Sequence, residues 1–113
     1  MVVTTDSGYT EDVTLYGVGS GDVFLPLSIY SGILNLDIDF STRSKPSLAL
    51  KDKSVVMVLS VDSDVAIVNG RSIVLPHVVY EYHGKVMIPI KSISSEFGYT
   101  VKDMYNKICI TKN

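Results

Sequence analysis

Cysteine occurs once in this chain, at Cys109, so no disulfide can staple it from within. That absence fits a cytosolic protein and many exported ones alike. Cys109 sits in the alternating stretch Ile108-Cys109-Ile110, which reads as a small, half-buried strand residue. A catalytic thiol needs a neighbouring base and a polarising environment, and nothing near it in sequence supplies one. No apolar run approaches 18 residues, which argues against a membrane-crossing helix. Met1 to Thr5 is too polar for a signal peptide, so an exported protein would carry its leader outside this stretch, and Met1 need not be native. Charge is sparse, at 19% of residues with a net −2. The ten Lys and Arg are scattered, and their densest group, Arg43-Ser44-Lys45, reads as a solvated turn. A nucleic-acid partner would want a clustered basic face, and none is expected.

What the chain does have is apolar residues and a pattern stated twice. With 46% apolar residues over 113 positions, residues 1–113 read as one domain able to bury about two thirds of its unfolded surface. Val23-Phe24-Leu25-Pro26-Leu27 returns 63 residues later as Val86-Met87-Ile88-Pro89-Ile90. At that offset Leu27, Tyr30 and Leu34 fall on Ile90, Ile93 and Phe97, the same apolar face of a short helix. Proline ends the strand and pre-sets φ for the first helical turn. Asn35 in one copy and Gly98 in the other stand where a left-handed C-cap belongs. In the second helix, Ile90 to Phe97, the spacing of three and four puts Ile90, Ile93 and Phe97 inward, and the polar Lys91, Ser92, Ser94 and Ser95 are expected outward. The repeat spans about 1–50 and 64–112, with some two extra residues in the Ser41 to Ser47 turn of the first copy.

The rest reads as strand and turn. Val2 to Thr5 forms a strand, and Val13 to Tyr16 pairs with Asp22 to Leu25 around the Gly17–Gly21 loop. Those glycines are turn residues, because a phosphate-binding loop would be followed by a longer helix rather than a strand and a proline. Alternating strands Leu36 to Phe40 and Tyr99 to Val101 follow the helices, closed by Leu48-Ala49-Leu50 and Ile108-Cys109-Ile110. Between them come Ser54 to Ser60, Val65 to Val68, Ile73 to Leu75, Val78 to Tyr82 and Lys85 to Ile88. Asn69-Gly70 is the strongest hairpin signal, and His83-Gly84 is a second turn. The fold class expected is α+β, with antiparallel sheets throughout wrapped on two short helices and an internal pseudo-two-fold repeat.

The run Val68-Asn69-Gly70-Arg71, the element Ile88-Pro89-Ile90-Lys91, the helix ending Glu96-Phe97-Gly98 and the closing strand Lys107-Ile108-Cys109-Ile110-Thr111 carry a resemblance. Together they resemble the copper amine oxidase N-terminal-like domain, with its "VPLR" element, its short helix ending in "ALGA" and its "TVTI" closing strand. Lys102 or Asp103 takes that family's tryptophan position, so one usual core aromatic is missing. The match is good over 64–112 and weaker, though in register, over the first half. The resemblance implies a non-catalytic stalk or accessory module of a larger exported or cell-surface protein of Gram-positive type, extracellular or in the cell wall. Its partner would be the neighbouring domain of the parent protein, with cell-wall glycan or another surface protein as further candidates. The alternative it implies is a wall- or glycan-binding module of a cell-wall hydrolase such as an amidase. Copper chemistry in the oxidases belongs to a separate catalytic domain, so no copper site carries over.

The residues agree with that expectation. His77, His83 and Cys109 are too few and too scattered for a copper or zinc site, and no cofactor is expected. The serines lie in no nucleophile-elbow context. Asp37 and Asp39 alternate with Leu36 and Ile38 on a strand, which reads as a solvated face rather than a glycosidase pair. Tyrosine is the one residue class suited to binding. Tyr80 and Tyr82 share a strand face, with Tyr99 and Tyr105 nearby in the C-terminal copy. They form a candidate surface patch that could stack on sugar or a partner protein, although cross-strand pairing is the plainer reading.

Overall fold

The structure is a computed structural model that describes residues 2–6, 8, 10–12, 22–40, 47–104 and 107–113. In chain order the elements are β1 (Val2–Thr5), β2 (Thr10–Asp12), β3 (Phe24–Pro26), α1 (Leu27–Leu34), β4 (Asp37–Phe40), β5 (Ser47–Lys51), β6 (Val56–Ser60) and β7 (Val65–Val68). They continue with β8 (Arg71–Val74), β9 (Tyr80–Tyr82), β10 (Lys85–Pro89), α2 (Ile90–Glu96), β11 (Tyr99–Met104) and β12 (Lys107–Lys112). Strands dominate because β-branched and aromatic residues recur between turn residues, and the helices are short because each is bounded by proline and a left-handed cap. The architecture is thus α+β. The expected hairpin from Val13 to Tyr16, the Gly17–Gly21 loop, the Arg43–Lys45 group and Tyr105 lie outside the described residues.

Among the described residues three sheets form, ordered β11-β12-β1-β2, β3-β10-β9 and β4-β5-β6-β7-β8. Their described ladders are antiparallel with one exception: β1 runs parallel to β12, pairing Val3 with Ile108 and Thr5 with Ile110. The expectation of antiparallel pairing throughout therefore needs correcting. Local hairpins dictate antiparallel neighbours, but β1 and β12 come from opposite ends of the chain, and no turn constrains their relative direction. Two-residue turns set the tightest hairpins. Asn69 and Gly70 have φ of 50° and 84°, and His83 and Gly84 have 50° and 77°. Two successive positive φ values define the primed turn whose twist matches the flanking strands. The Asn69 side chain adds a tie, since its Oδ1 accepts from the Val56 amide at 2.9 Å.

Both helices follow the proline-to-cap logic. Pro26 and Pro89 end β3 and β10 and stand at the N-caps of α1 and α2. Asn35 closes α1 at φ 55°, ψ 47°, and the Leu36 amide reaches the Ser31 carbonyl at 2.8 Å. Gly98 takes φ 82° after α2. The hairpins that follow have matching registers: Ile38 pairs with Leu50, and Val101 with Ile110. Phe40 opposes Leu48 whereas Asp103 opposes Ile108, so the first connection is three residues longer, against the expected two or so.

The core draws on both halves of the chain. Val3, Leu25, Tyr30, Leu50, Met57, Leu59, Ile88, Ile93, Ile108 and Ile110 belong to one buried cluster. Ile90, Ile93 and Phe97 are buried on α2, as the spacing requires. On α1, Leu27 and Tyr30 are buried, but Ile33 takes the deep position expected of Leu34, which is half-buried.

Candidate functional site

Buried polar groups are the first place to look for chemistry, because each must be satisfied or used. Asp22, Ser31 and Ser94 are the buried polar side chains among the described residues. Asp22 lies just before β3, yet its carboxylate serves α2: Oδ1 accepts the Lys91 amide at 2.9 Å and Oδ2 accepts the Ser92 hydroxyl at 2.7 Å. Oδ1 also takes the Val23 amide at 2.8 Å. Pro89 offers α2 no side-chain cap, so a residue some 70 positions away supplies the acceptor that the helix N-terminus needs. Ser31 donates to the Ser28 carbonyl at 3.0 Å within its own helix.

Ser94 corrects the expectation that it faces outward. It is fully buried, and its hydroxyl lies 2.7 Å from the phenol of Tyr30 on α1. The helical period predicts this placement, for Ser94 is four residues beyond Ile90 and three before Phe97, on the stripe those residues define. Only its polarity argued otherwise, and Tyr30 removes that objection by pairing with it. Burial drives the Tyr30 phenol well above the usual tyrosine range; the Ser94 hydrogen bond works against that rise, and the nearby Tyr99 adds to it.

The described sequence-derived candidates fall in more than one sheet. Tyr80 is half-buried on β9, its ring 5.2 Å from that of Phe24. Tyr82 is exposed and leans edge-on to His83 at 4.1 Å. Tyr99 opens β11, in a different sheet, and Tyr105 is not described. His77 packs its ring edge-on to Phe24 at 5.6 Å, while His83 sits in the turn before β10. Cys109 is half-buried and receives the Thr4 hydroxyl at 3.4 Å. Among the described residues no three His, Cys, Asp or Glu side chains converge as a metal would require. Asp37 and Asp39 are both exposed on β4.

One groove was not anticipated. It lies where α1 ends, between the turn after β5 and the outer ends of β11 and β12, with a volume of about 550 Å³. Leu34, Asn35, Asp37, Lys51, Lys53 and Tyr99 line it, together with Lys112. A smaller recess that shares Tyr99, Asn35 and Lys112 extends it towards Asp6 at the end of β1. These residues come from distant parts of the chain, and no sequence signal joins them.

Among the described residues, the fold and its buried polar groups define a β-rich module with two short capped helices, whose buried polar side chains make structural hydrogen bonds. The family model described as the copper amine oxidase N-terminal domain matches residues 4–110. The chain belongs to that family, whose N-terminal domains are non-catalytic accessory modules. Comparison with curated proteins and with solved structures gives no match.

Proposed function

We propose that this module is a stalk or positional accessory domain of a larger exported or cell-surface protein, holding a neighbouring domain at a set distance from its attachment point. The observation that carries the reading is the family match over 4–110 on a chain whose described buried polar side chains are committed to caps and helix contacts. A spacer needs rigidity, and one apolar cluster drawing on β1, β12 and both helices resists bending between the halves. The pseudo-two-fold repeat belongs to this proposal. β3 and β10 pair around Leu25 and Ile88, which are themselves 63 residues apart, so a local two-fold through that pair would exchange the two helices. Superposing residues 23–40 on 86–103 in a crystal structure tests it, and a poor fit would remove the repeat.

Exposed Tyr82 beside His83 favours a second reading, weak contact with cell-wall glycan. Sedimentation with insoluble peptidoglycan separates the two. A pure spacer stays in the supernatant, whereas a wall-binding module pellets, and loss of that behaviour in Tyr82→Ser would place the contact at Tyr82. In either case the module titrated with copper in a calorimeter should give no saturable isotherm. A one-to-one isotherm abolished by His77→Ala or His83→Ala would overturn the proposal.

A further inference from the structure

We infer that the groove at the end of α1 is a binding site for a neutral oligosaccharide, which deepens the glycan-contact reading by moving it from the Tyr80–Tyr82 strand to Tyr99. The charges on the lining decide the ligand class. Lys51, Lys53 and Lys112 stand against Asp37 and Asp52 in the groove and Asp6 in the adjoining recess, three of each sign. None of the three lysines makes an ion pair among the described residues, so their ammonium groups remain available as donors. Two of the carboxylates are held in place through one oxygen each, with the other left as an acceptor: Asp52 Oδ1 accepts the Ser54 and Val55 amides at 2.8 and 2.7 Å, and Asp6 Oδ2 accepts the Lys112 amide at 2.9 Å. Asp37 and the Asn35 side-chain carbonyl remain exposed as acceptors.

A balanced set of donors and acceptors gives little preference to an anion or a cation. It suits a molecule whose every hydroxyl both donates and accepts, and that is the chemistry of a sugar ring. Tyr99 supplies the other half of such a site, an apolar ring with a polar end. It is half-buried and lines both the groove and the recess, and its phenol makes no hydrogen bond among the described residues. The volume of about 550 Å³ is that of an ordinary ligand cleft.

The test is a titration of the ¹⁵N-labelled chain followed by amide chemical shifts, with maltotriose and tri-N-acetylchitotriose as neutral probes and tetraglutamate and tetralysine as charged ones. Saturable shifts at Asn35, Lys53, Tyr99 and Lys112 are expected with at least one sugar. Tyr99→Leu and the exposed variant Asp37→Ala should each weaken that binding about tenfold, the scale of one lost ligand contact, while Tyr82→Ser leaves it unchanged. The site is overturned if neither sugar gives saturable shifts, if the shifts centre on Tyr80 and Tyr82, or if only a charged peptide binds. Peptidoglycan sedimentation that survives Tyr99→Leu overturns the groove as the wall contact and keeps wall contact elsewhere. Sugar binding at the groove without sedimentation keeps the groove and removes wall contact.

Discussion

The Tyr30–Ser94 pair joins the two helices through a single buried hydrogen bond, and its removal can be sized from the structure. Both residues are wholly inaccessible, and the two oxygens are 2.7 Å apart. Tyr30→Phe keeps the ring packing but strands the Ser94 hydroxyl in an apolar interior, which should cost about 1–3 kcal/mol. Ser94→Ala strands the phenol instead, at a similar cost. The double variant leaves neither group unsatisfied, so its loss should be smaller than the sum by about 1 kcal/mol or more. Urea unfolding followed by far-ultraviolet circular dichroism gives the three differences. Additivity within about 0.3–0.5 kcal/mol would mean that the two hydroxyls are not coupled and would refute the pairing. The same pair has an alkaline signature. Because the folded phenol titrates above the unfolded one, whose value is 10.0, its contribution is fully present below that pH. Above it the unfolded chain loses this proton while the folded chain keeps it, and stability falls by up to about 1.4 kcal/mol per pH unit. Tyr30→Phe should flatten that decline relative to the parent, and equal slopes would contradict the burial argument.

Phe97→Ala, at a position 5% exposed, should lower stability by about 3–5 kcal/mol, whereas exposed Ser95→Ala should be near neutral; equal denaturation midpoints would place the wrong face of α2 inward. Gly98→Ala should cost about 1–2 kcal/mol through its φ of 82° alone, since an added Cβ would meet nothing within 4 Å, and an unchanged midpoint would refute the left-handed cap. Asn35→Gly, at φ 55°, should be neutral or slightly stabilising by the same measurement. Asp22→Ala should cost about 1–2 kcal/mol or more by removing the acceptor for Lys91 and Ser92; an unchanged thermal midpoint would show that α2 needs no cap from outside.

Local signals were strong wherever one short segment decides its own geometry. Proline before each helix, Asn35 and Gly98 after them, and the turns at Asn69-Gly70 and His83-Gly84 were all legible, because each rests on φ preferences of one or two residues. The inward faces of both helices were legible to within one position. Ser94 shows how such reading fails: the period placed it inside, its hydroxyl argued for outside, and the missing partner lay 64 residues away. Legibility was poorer still for the candidate site. The tyrosines were picked out by type, but Tyr80 and Tyr82 went to one sheet and Tyr99 to another. The groove that holds Tyr99 is assembled from β4, the β5–β6 turn, α1 and β12, whose spacing along the chain carries no period.

By itself, then, the sequence determined the α+β class, the family resemblance, the two short helices with their caps and the tight turns, because these follow from local backbone preferences and side-chain periodicity. Tertiary structure alone decided the parallel union of β1 with β12, the capping of α2 by Asp22, the Tyr30–Ser94 bond and the polar groove beside Tyr99. Each of those joins groups far apart in the chain, and a long-range contact is selected by the shape of the packed core and the need to satisfy buried donors and acceptors.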